Sequence, residues 1–294
     1  MVHTPVLLQE VVDGLQARKG DIILDATVGG GGHSEALCKA VGGKATIVCL
    51  DADEDALLRS QKRLAACGCS FRFYQSNFRH VDAALQELGI RDIQRALFDL
   101  GLSSFQLEES GRGFSFQGSE PLLMTYTRGA GPDELTAEHI VNEWDEENIA
   151  TILHSYGEER AARRIAAAIV RARGIQRITT TAELREIVER AVPRRGRTHP
   201  ATKTFQALRM AVNDELRALT EGMQKAWNAL TPHGRLAVIS FHSLEDRIVK
   251  TFCRARASEG KGIRVTRKPI TPTRTEVLAN PRARSAKLRI IEKV

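Results

Sequence analysis

The chain has 294 residues, 42% of them hydrophobic and 27% charged, with a formal net charge of +7. That balance describes a globular protein with a proper core and excludes a fibrous or disordered chain. No apolar run approaches the roughly 20 residues that a membrane helix needs, so no membrane partner is expected.

The N-terminus, MVHTPVLLQEVVDGL, has neither a basic leader nor a small-residue cleavage site, so no signal peptide is expected. IILDA (22–26) then predicts a buried strand, followed by glycines and the helix-like SEALCKAV. ATIVCLD (45–51) predicts a second strand, and DEDALLRSQKRLAA a helix with acids in its first turn. SFRFYQ alternates, HVDAALQEL is helical, and RALFDL (95–100) predicts a fourth strand. Short apolar strands interleaved with helices imply right-handed crossovers and a parallel sheet covered on both faces.

The alternation stops after GLSSFQLEESGRGFSFQGSEP, and residues 135–192 carry only helical periodicity, with Thr181 placed to cap the helix of TTAELREIVERAV. From residue 204, TFQALRMAVNDELRALTEGMQKAWNAL predicts one long helix. TPHGRLAVISF predicts a fifth strand and SLEDRIVKTFCRAR a helix, and GIRVTRKP with SAKLRIIEKV closes the chain as a hairpin. The expected architecture is an α/β domain of residues 1–106 and 204–294, interrupted by an all-helical domain of residues 107–203.

Charge is segregated. Residues 133–159 hold nine acidic and no Lys or Arg side chains, whereas residues 160–203 hold twelve basic and three acidic ones. From Arg247 onward the net charge is +11. Such fields attract phosphate-rich partners, so nucleic acid is the expected macromolecular ligand. PRRGRTHPATK (193–203), with Arg194, Arg195, Arg197 and Lys203, and the basic tail, with Arg282 and Arg284, are the candidate backbone contacts. The acidic stretch should avoid RNA and meet protein, a dimer partner being one candidate. The five cysteines (Cys38, Cys49, Cys67, Cys69, Cys253) lack metal spacing and read as reduced thiols of a cytoplasmic protein. No metal site is expected, since His242-x-x-Glu245 alone is too common a spacing to count.

The glycine run in IILDATVGGGGH asks for a ligand close to the backbone. A phosphate-binding P-loop would need Lys-Ser or Lys-Thr after the glycines, and none follows. A dinucleotide fingerprint counted from Gly29 meets Ser34 where its third glycine belongs. Asp51, at the end of the second strand, stands where an acid receives ribose hydroxyls. Asp25, four positions before Gly29, would repel a pyrophosphate but suits a cofactor with an ammonium and a sulfonium. That cofactor is S-adenosyl-L-methionine. Asp99, ending the fourth strand, lies at the crevice where such sheets bind ligands. A nicotinamide-dependent oxidoreductase using the same loop is the competing reading.

Longer motifs then carry a resemblance. HTPVLL (3–8), DATVGGGGHS (25–34), DLGLSSFQL (99–107), RGFSF (112–116), YGEERAARRIAAAI (156–169), HPATKTFQALRMAVNDEL (199–216), SFHSLEDRIVK (240–250) and NPRARSAKLR (280–289) run nearly end to end. With these the chain resembles the MraW/RsmH family, which N4-methylates a cytidine in the decoding region of small-subunit (16S) ribosomal RNA. The resemblance implies a Rossmann-like class I S-adenosylmethionine-dependent methyltransferase sheet with an inserted all-helical domain. It further implies that Gly31, Gly32 and His33 contact the cofactor, that Asp51 holds the ribose, and that Phe78 lies against the adenine. Asp99 and Gln106 would line the methyl-donor side. One departure stands out: where the family carries P-L-D-M-R-M-[DN], this chain reads PLLMTYT, so Leu123, Thr125 and Thr127 replace two acids and an arginine.

The chemistry assigns further expectations. The exocyclic amine of cytosine is a weak nucleophile, and an acceptor for its N–H helps to orient its lone pair. Asp99 is the candidate anchor, unless it touches the cofactor alone. His242 is a candidate proton acceptor, with the capping of its own helix as the alternative. A non-catalytic RNA-binding assembly factor on the same fold is a further reading.

Overall fold

The computed structural model describes residues 5–128, 131, 134–193 and 199–294. The chain divides into two compact units, one running to Gly101 and resuming at Leu216–Val294, the other Leu102–Glu215.

In the first unit, α1 (Leu8–Leu15) leads into β1 (Ile22–Asp25), α2 (Gly32–Ala40), β2 (Thr46–Asp51), α3 (Glu54–Leu64), β3 (Ser70–Gln75), α4 (Val81–Glu87) and β4 (Ile93–Asp99). The helical unit holds α5 (Ser104–Glu108), α6 (Ala137–Glu143), α7 (Glu146–Ser155), α8 (Ala162–Arg173), α9 (Thr181–Ala191) and α10 (Ala201–Asn213). After it come α11 (Glu215–Ala229), β5 (Leu230–Ser240), α12 (Ser243–Ser258), β6 (Gly262–Arg264), α13 (Arg274–Ala279) and β7 (Lys287–Lys293). The seven strands form one sheet in the order β3-β2-β1-β4-β5-β7-β6. The first five are parallel, and β7 runs antiparallel to both β5 and β6. The C-terminal hairpin expected from the sequence is therefore present, inserted at one side of the parallel sheet.

Alternation along each strand explains why both faces are apolar. Ile23, Ile47, Leu97, Ile239 and Ile290 point to one core, which α1, α2 and α3 complete with Leu15, Leu37 and Leu57. Leu24, Val48, Phe98, Val238 and Ile291 point to the other, covered by Leu85, Trp227 and Val249 from α4, α11 and α12. The helical unit has its own core, with Ile140, Leu153, Ile165, Leu184 and Leu208 fully buried. Among the described residues no helix is long and apolar enough to cross a membrane.

Three details differ from the expectations. The units meet at 101/102 and 215/216, not at 106/107 and 203/204, because α5 and α10 lie within the helical unit. The single helix expected from residue 204 is two, broken at Asp214 in the left-handed region (φ 47°). Aspartate tolerates that region better than most residues. The cap of α9 is Thr180, whose hydroxyl accepts from the Glu183 N–H in a reciprocal capping box. Thr181 instead donates to the Gly118 carbonyl and accepts from the Glu120 N–H.

Candidate active site

The turn after β1 is held by the sheet on both sides. Ala26 N–H donates to the Leu97 carbonyl and Val28 N–H to the Leu50 carbonyl. The chain then reverses through Gly29 (φ 51°) and Gly31 (φ 76°), a backbone shape that favours glycine. A side chain at Gly31 would also press on Ser60 at 3.2 Å, and one at Gly32 would strike Pro5 at 2.2 Å.

Three acids converge on this turn from the C-terminal ends of β1, β2 and β4. Asp25 is 1% exposed, accepting from the Ser34 hydroxyl at 2.6 Å and the Thr27 N–H at 3.3 Å. Burial pushes its carboxyl up to about 6, against the lowering effect of those two hydrogen bonds. Asp51 accepts from the Gly29 N–H through Oδ2 at 2.9 Å and from the Asp53 N–H through Oδ1 at 3.0 Å. It too is raised to about 6, by burial first and then, more weakly, by the charges of Asp53 and Asp25. The Asp99 N–H donates to the Thr27 hydroxyl at 2.7 Å, which ties β4 to the turn. Burial, then Asp25 and Glu245, raises the Asp99 carboxyl to about 8. Its Oδ1 is buried and has no hydrogen-bond partner among the described residues.

His33, in the first turn of α2, is buried with Nδ1 3.4 Å from Asp99 Oδ2 and Nε2 3.0 Å from the Val6 carbonyl. Phe78 follows β3, with its ring edge-on to Phe98 at 5.6 Å, and Gly222 of α11 lets the helix pass close to it. The structure thus brings Asp25, Gly29, His33, Asp51 and Asp99 into one hydrogen-bonded and electrostatic cluster. A groove of about 530 Å³ lined by Asp82, Ile90 and Lys225, among others, is separate from all of them.

The other expected residues have these partners. Gln106 lies in the helical unit, where its amide oxygen accepts from the Ser103 N–H in the capping box of α5. His242 is the N-cap of α12: Nδ1 accepts from the Glu245 N–H at 3.3 Å, and Nε2 lies 3.1 Å from Glu245 Oε1. Nδ1 thus makes the capping arrangement raised above as the alternative, while Nε2 is buried with no hydrogen-bond partner among the described residues. Lys203 donates to the Glu158 carbonyl, and Arg282 and Arg284 lie exposed in the single-turn segment Pro281–Ser285. Arg194, Arg195 and Arg197 lie outside the described residues. In PLLMTYT, Leu122 and Met124 are buried, the Thr125 hydroxyl donates to the Thr127 carbonyl, and the Tyr126 hydroxyl donates to Glu215.

Sequence reasoning missed Thr27, Ser34 and Glu245. Thr27 and Ser34 flank the glycines, and a hydroxyl beside a buried carboxylate was the available signal. Glu245 acts on Asp99 by its charge, and the His242-x-x-Glu245 spacing gave no sign of that.

Comparison with known proteins bears on the family of the chain. Residues 1–294 match the MraW methylase family. A protein named ribosomal RNA small subunit methyltransferase H from Heliobacterium modesticaldum is 45% identical over 99% of this chain and 98% of its own. Its namesake from Symbiobacterium thermophilum is 46% identical over 99% and 96%. A solved rRNA methylase from Streptococcus thermophilus aligns over 100% of this chain and 99% of its own, at 12% identity and a TM-score of 0.47. With the profile matched from end to end and relatives this similar over almost their whole length, the chain belongs to the MraW methylase family.

Proposed function

We propose that this protein transfers a methyl group from S-adenosyl-L-methionine to the exocyclic N4 of a cytidine in the decoding region of small-subunit (16S) ribosomal RNA. Ribosomal RNA methylation follows the names of its relatives; the base and the site follow from the family resemblance. The observation that carries the cofactor is the trio Asp25, Asp51 and Asp99 around the glycine turn. Asp25 and Asp51, ionised at neutral pH, oppose a pyrophosphate and favour a cationic ligand, which disfavours a dinucleotide.

The residues fit that group. Gly29–Gly32 present a backbone surface without side chains, Asp51 is placed for the ribose, and Asp25 offers negative charge to the amino-acid end. When bound, S-adenosylmethionine supplies a methyl group activated by the sulfonium. Asp99 Oδ1, a buried acceptor without a donor among the described residues, is suited to an N–H of the incoming base. That contact would orient the lone pair of the amine for in-line displacement. Phe78 would lie against the adenine, and Gln106 would line the donor side.

To reach the site, the cytidine must leave its stack, so the RNA must be single-stranded or locally opened. Lys203, Arg282, Arg284 and the segment with Arg194, Arg195 and Arg197 would hold the phosphate backbone. The helical unit would serve as substrate platform, and its acidic stretch as a surface for protein, including a second copy. The setting would be cytoplasmic, with the RNA in the small ribosomal subunit.

The test offers the protein labelled methyl donor with unmodified small subunits and, separately, naked ribosomal RNA. Label recovered as N4-methylcytidine is the expected outcome. Label on another nucleoside would overturn the assigned base. No label, with donor still bound, would favour the assembly-factor reading.

A further inference from the structure

The tautomer of His33 is fixed by its surroundings. The Val6 carbonyl can only accept, so Nε2, 3.0 Å from it, carries a hydrogen. In the neutral ring Nδ1 is then a bare lone pair, and it lies 3.4 Å from Asp99 Oδ2. A lone pair facing a carboxylate oxygen is repulsive. One proton between them turns that contact into an attraction, whether it resides on the acid or on the ring.

We propose that His33 and Asp99 act as one unit sharing a single proton, with His33 the positioning residue that engages Oδ2 and leaves Oδ1 as the acceptor for the reacting amine. The assignment to an amine rests on the methyltransferase reading; the shared proton does not. The charged groups acting on Asp99 agree with a retained proton. Asp25 at the end of β1 and Glu245 in the first turn of α12 both oppose a bare carboxylate, as does burial. His33, on α2, is the titratable partner on the remaining side.

A merely structural histidine would titrate by itself. Nitrogen NMR of the ligand-free protein with labelled histidine separates the cases. The expected result is a His33 ring protonated at Nε2 throughout and changing at Nδ1 in one step together with the Asp99 carboxyl, a step that Asp99→Asn removes. A His33 step unchanged in Asp99→Asn would overturn the pairing. In turnover assays, the activity should fall as pH rises above about 8, and His33→Gln should lower kcat about tenfold and erase that limb. An unchanged profile in His33→Gln would overturn the positioning role. The shared NMR step in a protein without methyl transfer would support the pair and count against the methyltransferase reading alone.

Discussion

Asp51 Oδ2 accepts the backbone N–H of Gly29 at 2.9 Å, joining the end of β2 to the turn that follows β1. Because Oδ1 accepts from Asp53 at the same time, one carboxylate sets the shape of both loops. Asp51→Ala should therefore weaken S-adenosylmethionine binding about 10- to 100-fold, the range expected for losing a charged hydrogen bond. Asp51→Asn, which keeps one acceptor oxygen, should lose less. Calorimetric titration of the donor measures both, and an unchanged Kd in the alanine variant would remove Asp51 from the cofactor site.

Asp25 and Asp51 are each raised to about 6, so both are ionised at neutral pH and take up protons as pH falls through that value. A cationic ligand binds the ionised pair better. Donor affinity should therefore drop as pH is lowered from about 7 to about 5, with protons released on binding near pH 6. S-adenosylhomocysteine, which lacks the sulfonium charge, should show a shallower dependence. Equal slopes for the two ligands would mean that the acids do not sense the sulfur.

A carboxyl whose folded value lies above its unfolded one binds its proton more tightly in the folded state. The raised value of Asp99 thus favours folding in acid, and that advantage is lost as pH climbs from 3.8 to about 8. Asp99→Asn removes the cost of burying the charge. Its Tm at pH 8 to 9 should exceed that of the ligand-free wild type by about 2 to 6 °C, while methyl transfer is lost. Near pH 4 the two should melt together. Thermal scans at both pH values check the crossing, and a destabilised Asp99→Asn at high pH would contradict it.

The strands were legible because parallel β-structure buried on both faces writes continuous apolar runs, as in IILD and TIVCLD. The acids at their ends were legible because each closes its run. What lay beyond local pattern was set by tertiary contacts. The break at Asp214 is invisible in a periodic sequence, but Asn213 before it donates to the Met124 and Arg209 carbonyls and accepts from the Tyr126 N–H. These bonds fix the chain where the helix ends. Gln106 and His242 each sit in a local capping pattern, S-x-x-Q and H-x-x-E, and the structure realises both caps. The role of Thr27 under Asp99 depends on two strands 72 residues apart, which no spacing reveals.

His242 offers Nδ1 to the first turn of α12, and asparagine can make the same bond. His242→Asn should accordingly keep kcat within about threefold of wild type, whereas His242→Ala should cost about 1 kcal/mol of stability. Single-turnover rates and denaturant melts of both variants decide the matter. A loss beyond about 100-fold in a folded His242→Asn protein would instead mark the histidine as the proton acceptor.

Lys203 and Arg284 test the basic residues of the two units separately. Lys203 is already engaged, its ammonium donating to the Glu158 carbonyl, while Arg284 is exposed in the tail. A phosphate contact adds about 0.7 to 0.9 to the slope of log affinity against log salt. Arg284→Gln and Arg282→Gln together should flatten that slope by about 1 to 2 and weaken binding to small-subunit RNA of any sequence. Lys203→Gln should have a smaller effect, because removing it also releases its carbonyl partner. Charge reversal at Arg194, Arg195 and Arg197 should weaken RNA binding and flatten its salt dependence further. Filter binding across a salt series reads all three sets, and a slope that none of them moves would remove these residues from the RNA path.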